Sequence, residues 1–165
     1  MIFKTTRYFM VIGALMLTAA LFSMPANAQE SSPYGKISTI LSGEGRSALA
    51  AGDYNTALAR FEQSMVADPQ NIEAYVGLGS LYFEVKSFSL SLKYFDIALS
   101  LNPTSMRILE LAAYSHLAAE SLDEVEEIRK KMETICLAGT CEELERLNQA
   151  LETNQASAEL DNSNS

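Results

Sequence analysis

Apolar residues are distributed along this chain in two different ways. Near the start a nearly unbroken apolar run extends from Phe9 to Phe22, with Lys4 and Arg7 before it and Pro25 and Ala26-Asn27-Ala28 after it. A basic beginning, a short apolar core and a small-residue end are the layout of a secretory signal, so residues 1–28 are expected to be a signal peptide cleaved after Ala28. At 14 residues the run is short, because a helix needs roughly 20 to cross a hydrocarbon core. No Cys follows Ala28 directly, so lipid attachment there is not expected. No later stretch holds 18 consecutive apolar residues, and no other membrane span is expected.

Further on, apolar residues fall at helical spacing. Tyr75, Leu78, Gly79 and Tyr82 stand at i, i+3, i+4 and i+7, one face of a helix, and Leu92, Phe95 and Leu99 form a second stripe after a break near Lys86-Ser87. The stripes recur with a period of 34: Pro69 and Pro103, Phe61 and Phe95, Gly45 and Gly79, Leu58 and Leu92, Gly43 and Gly77 are all 34 apart, and Tyr54 pairs with Phe88. Such a period predicts an all-α superhelix of stacked helical hairpins. Proline cannot continue a helical ladder, so Pro69 and Pro103 close successive hairpins. Gly79 costs about 1 kcal/mol of helix propensity relative to Ala, which is tolerable where a missing side chain lets a partner come close.

The motif Tyr75-x-x-Leu78-Gly79-x-x-Tyr82, then Ser91-x-x-x-Phe95-x-x-Ala98, closing on Asn102-Pro103, makes residues 72–105 resemble a tetratricopeptide repeat. Residues 38–71 resemble the same repeat through Gly45, Ala57, Phe61 and Asp68-Pro69. A third, degenerate copy spans 106–135, where His116 takes the place of Tyr82 and Arg129 that of Phe95. The expected domain therefore covers 38–153, with residues 29–37 as a polar linker, a capping helix at 141–153 and a disordered tail at 154–165.

Ser121-x-x-Glu124 and Thr140-x-x-Glu143 have the capping-box pattern and predict helix starts. Val125, Ile128, Met132 and Ile135 give the first of these helices its apolar stripe, and Leu144, Leu147 and Leu151 give the second. A terminal element of this kind covers the exposed end of a solenoid. Between the two helices stand Cys136 and Cys141. An exported chain with an even cysteine count favours a structural disulfide. Two other chemistries compete for the pair. A redox site more typically shows C-x-x-C, whereas four residues intervene here. Zinc would have to recruit carboxylates, since the chain has one His and two Cys.

Charge narrows the function. Beyond Ala28 there are 10 basic and 21 acidic side chains, a net of -11, which argues against nucleic acid and against anionic lipid. Gly43-x-Gly45-x-x-Ala48 matches a loose dinucleotide fingerprint, but the 34-residue register puts it inside a helix. His116 has no adjacent catalytic partner and reads as a packing residue.

The resemblance implies a non-catalytic scaffold or adaptor, without cofactor or metal, that holds a segment of another protein in a concave groove lined by the first helix of each hairpin. On this register the groove-lining candidates are Arg46 and Leu49, then Glu73, Val76, Ser80 and Phe83, then Arg107, Glu110 and Tyr114. Phe83 is the expected aromatic anchor, because Tyr82 already fills the neighbouring packing slot. One branch of the family grips C-terminal carboxylates with Lys, Asn and Arg on these helices. Here Ser42, Arg46, Val76, Ser80 and Arg107 stand there, the asparagines and the lysine are missing, and that specificity is not implied. The expected location is the bacterial periplasm, with secretion open. An alternative role is a thiol-redox or accessory component of an envelope enzyme complex working through Cys136 and Cys141. Self-association through an exposed edge of so short an array is compatible with the scaffold reading.

Overall fold

The computed structural model describes residues 33–136 and 141–163, with side chains as far as residue 156. The expected signal peptide, the start of the linker and Thr140 of the second capping box lie outside the described residues. Seven helices follow one another among the described residues: α1 (Pro33–Ala50), α2 (Tyr54–Ala67), α3 (Ile72–Glu84), α4 (Phe88–Leu101), α5 (Met106–Ala118), α6 (Leu122–Ile135) and α7 (Glu142–Ser163). There is no strand among the described residues. None of these helices is long and apolar enough to cross a membrane. The helices pair as α1–α2, α3–α4 and α5–α6, and α7 packs on α5 and α6.

The period of 34 reaches down to single backbone groups. Each hairpin turns at a residue with positive φ: Gly52 at 74°, Lys86 at 60° and Glu120 at 59°. In all three turns that residue's N–H bonds back three residues and the next N–H bonds back five. The pairs are Gly52 to Leu49 and Asp53 to Ala48, Lys86 to Phe83 and Ser87 to Tyr82, then Glu120 to Leu117 and Ser121 to His116. This closes the carbonyls that a helix end leaves open. Asp53, Ser87 and Ser121 then cap the second helices and Asn71 and Ser105 the first. Asp53 accepts from the Thr56 N–H and Asn71 from that of Glu73, whereas the three serines make no side-chain cap bond. The capping box expected at Ser121 is therefore absent; the hairpin turn, with its left-handed Glu120, places the helix start instead.

Packing follows the repeated Phe and Gly positions. The Phe61 ring is fully buried between α1 and α3. A Cβ added at Gly45 would lie 2.7 Å from this ring, and one at Gly77 only 2.1 Å. Phe95 repeats the arrangement one hairpin on, against Gly79 of α3 and in a cluster with Val76, Ile108 and Ala112. The close partner of these glycines is thus a phenylalanine ring from the second helix of a hairpin. In the third hairpin Arg129 replaces that ring and pairs on its own helix with Glu126 and Glu133. The core there is Leu109, Ala113, Val125, Met132 and Leu147.

Both ends are longer than expected. Helix α1 begins at Pro33, within the stretch read as linker, because proline suits the first turn of a helix, where its missing N–H costs nothing. Helix α7 continues past 153 to Ser163, since neither Gly nor Pro stands between residues 142 and 163 to stop it.

Candidate partner-binding groove

The first helices of successive hairpins lie side by side, and Arg–carboxylate pairs stitch each neighbouring pair together along one face. Arg46 of α1 donates to Glu73 of α3 at 2.9 Å, and Arg107 of α5 donates to the same carboxylate at 3.0 Å. Glu110 of α5 receives Arg146 of α7 through Nε at 2.6 Å and Nη2 at 2.8 Å. This two-pronged bond raises the Arg146 pKa. Tyr114 donates to Glu110 at 3.1 Å. Burial, then the hydrogen bond to Glu110 and its charge, push the Tyr114 phenol above its usual range.

Three cavities follow this face. The first, about 310 Å³, is lined by Arg46, Leu49 and Ala50, by Glu73, Val76, Gly77, Ser80 and Glu84, and by Arg107. A second of about 160 Å³ adjoins it at Ser80 and Glu84 and is lined further by Phe83, Phe95, Leu111 and Tyr114. Tyr114 joins it to a third, about 570 Å³, between Leu117 of α5 and Arg146, Gln149 and Ala150 of α7. Most of the accessible lining is apolar in each, with charged groups along it, the pattern of a surface that buries a ligand's apolar parts and orients it by a few polar contacts.

The structure places the nine candidate groove residues unequally. Arg46, Leu49, Glu73, Val76, Ser80 and Arg107 line the first cavity, and Phe83 and Tyr114 line the second. Val76 is only 2% exposed and forms a floor, with its side chain in the core cluster around Phe95. Glu110 is 5% exposed and bound by Arg146. It is therefore a fastening between α5 and α7, not an open contact, because losing the half-exposed Arg146 would leave a buried carboxylate without its partner. Phe83 is half-buried and meets Phe88 at a tilt, with ring centroids 5.8 Å apart, so it packs on one side and faces the cavity on the other. Sequence reasoning missed Glu84 and Arg146. The available signal for Arg146 was its charge opposite to Glu110, 36 residues earlier, close to the repeat length.

Cys136 and Cys141 line none of these three cavities and are bonded to each other, their Cα atoms 6.2 Å apart. His116 Nδ1 is buried without a hydrogen-bond partner, so this ring nitrogen is not held by a catalytic partner.

Comparison with known proteins agrees with the geometry. Residues 43–105 match the tetratricopeptide repeat family model. No curated protein sequence matches the chain. Among solved structures, the first TPR domain of human RPAP3 is 22% identical, with a TM-score of 0.61 over 74% of this chain and 98% of that one. The Sgt2 TPR domain from Aspergillus fumigatus is 18% identical, with a TM-score of 0.63 over 76% and 82%. The first TPR of Spaghetti bound to an HSP90 peptide is 21% identical, with a TM-score of 0.61 over 72% and 98%. Taken with the 34-residue register of turns, caps and wedged rings, the match identifies tetratricopeptide repeats over residues 43–105.

Proposed function

We propose that the chain is a non-catalytic scaffold or adaptor of the bacterial cell envelope. It is exported by a cleaved signal and receives a segment of another protein along the face formed by α1, α3 and α5. The observation that carries this reading is the continuous track of three adjoining cavities on that face, lined by side chains from every first helix. Tetratricopeptide domains are in general interaction modules, and the solved structure with an HSP90 peptide holds its ligand as a short segment. The role needs no cofactor or metal.

Photocrosslinkers placed in living cells test the groove. Incorporated at Ser80 or Leu49 they should capture one envelope protein, and incorporated at Val66, which is 85% exposed elsewhere on the array, they should not. Equal capture from both positions would count against the groove. The intact mass of the exported chain should correspond to a product beginning at Gln29.

The redox alternative has one observation in its favour, the bonded cysteine pair. A Cys136→Ser/Cys141→Ser variant that keeps crosslinking from Ser80 and complements a deletion would exclude it.

A further inference from the structure

The outward face of α1 repeats a surface that the array uses elsewhere to join hairpins. Ile40 is 61% exposed, yet its counterparts one and two periods on, Ala74 and Ile108, are 0% and 2% exposed, and Ile108 packs on Val76 and Phe95 of the preceding hairpin. Likewise a Cβ at Gly43 would meet nothing within 4 Å, whereas its counterpart Gly77 is filled by the Phe61 ring. Helix α1 therefore presents an inter-hairpin surface with no hairpin before it among the described residues. The other end of the array is closed by α7, with Leu147 fully buried.

We propose that a second copy of this chain covers this face, α1 against α1 and antiparallel, about a two-fold axis passing at Ile40. The residues are arranged symmetrically for it. Lys36 and Ile37 precede Ile40 by four and three positions, and Gly43 and Glu44 follow it by three and four. At 3.6 residues per turn all four lie within about 60° of Ile40 around the helix. An antiparallel two-fold brings Lys36 and Ile37 of one copy onto Gly43 and Glu44 of the other, twice. The open notch at Gly43 admits the longer side chains, Ile37, 48% exposed, gains apolar cover, and each Lys36 meets the second copy's Glu44, a carboxylate that also pairs with Arg60 of its own chain at 3.0 Å. This matching of acid to base and bulge to notch about a single residue is what an isologous contact requires. An unrelated partner would need no such symmetry. A head-to-tail contact would have to displace α7, so the assembly closes at two. After cleavage at Ala28 only residues 29–32 precede α1, roughly 13 Å of extended chain, too short to cover the face from within.

One helix face on another buries less than the roughly 1,200 Å² of stable complexes, so the dimer is reversible. Sedimentation equilibrium of the exported chain up to about 1 mM, in the weak-complex range, should give monomer and dimer. Ile40→Glu and Lys36→Glu should each weaken dimerisation at least about tenfold by setting like charges together, with thermal melts at low concentration unchanged. Lys36→Glu with Glu44→Lys should restore it. A monomer throughout, a dimer indifferent to these changes, failure of the charge swap to rescue, or a retained leader covering the face would each overturn the proposal. A null result at Ser80 in the crosslinking assay would leave it standing.

Discussion

Lys86 and Glu120 occupy a left-handed backbone position that their sister residue Gly52 adopts freely. A side chain there costs about 1–2 kcal/mol. Lys86→Gly and Glu120→Gly should therefore each raise stability by up to about 1 kcal/mol, readable as a shift in the urea midpoint at unchanged slope. The opposite holds at Gly77. Alanine is ordinarily the better helix former, but its Cβ would enter the Phe61 ring, which Gly45 blocks from behind. Gly77→Ala should cost about 1–3 kcal/mol, as overpacked cores do. Phe95→Ala should cost about 3–5 kcal/mol. The half-buried Phe83 should cost much less when changed to Ala, by less than the roughly 1.5–3 kcal/mol for a fully buried ring, because one side of it faces a cavity. These rings and glycines were legible in the sequence as a period. The turn residues in the second and third copies were not, since neither Lys nor Glu signals positive φ and only the closing of the hairpin imposes it.

Among the elements, α7 depends on a cross-link where its predecessors depend on proline. Cys136 caps α6 at the position that Asp68 and Asn102 hold in α2 and α4, and both of those residues precede a proline. In the third copy Leu137 follows instead, and the Cys136–Cys141 bond takes over the task of limiting the turn. Closing so short a loop stabilises by about 2 kcal/mol in the chain-entropy model. Reduction should lower the melting temperature while leaving the helices formed, with amides of α7 losing protection from exchange first. The cap at the start of α2 adds a pH dependence. Hydrogen bonds from Thr56 lower the Asp53 pKa, so the unfolded chain binds the proton more readily and this contribution is lost as the pH falls through the folded value. The stability gap between the parent and Asp53→Ala should narrow as the pH is lowered from 7 to 3. Helix ends were the least legible part of this scale. Pro33 sets where α1 starts and the hairpin turn where α6 starts, and a side-chain cap sets neither.

For the whole molecule, the first helices are joined by ion pairs along the face where the cavities lie. Arg46 and Arg107 remain about half exposed, and exposed pairs contribute only about 0–1 kcal/mol. Their placement therefore bears on recognition more than on stability. Arg107→Glu should change the melting temperature little and should abolish capture from Ser80 if the partner segment is acidic at that point. Six of the nine candidate groove residues were brought together as the period required. Glu110 was not legible as a fastening, because its partner Arg146 belongs to a helix outside the repeats. The replacement of phenylalanine by Arg129 reaches further. Phe61 wedges between the first and second hairpins and Phe95 between the second and third, so none of the three can loosen without exposing a ring. At the position of these rings the third hairpin has Arg129, so no such wedge fastens α7 beyond it, which makes α7 the end from which the array unzips. The chain's one disulfide lies at that end, where thermal fraying begins, and it acts there as a stop on unravelling.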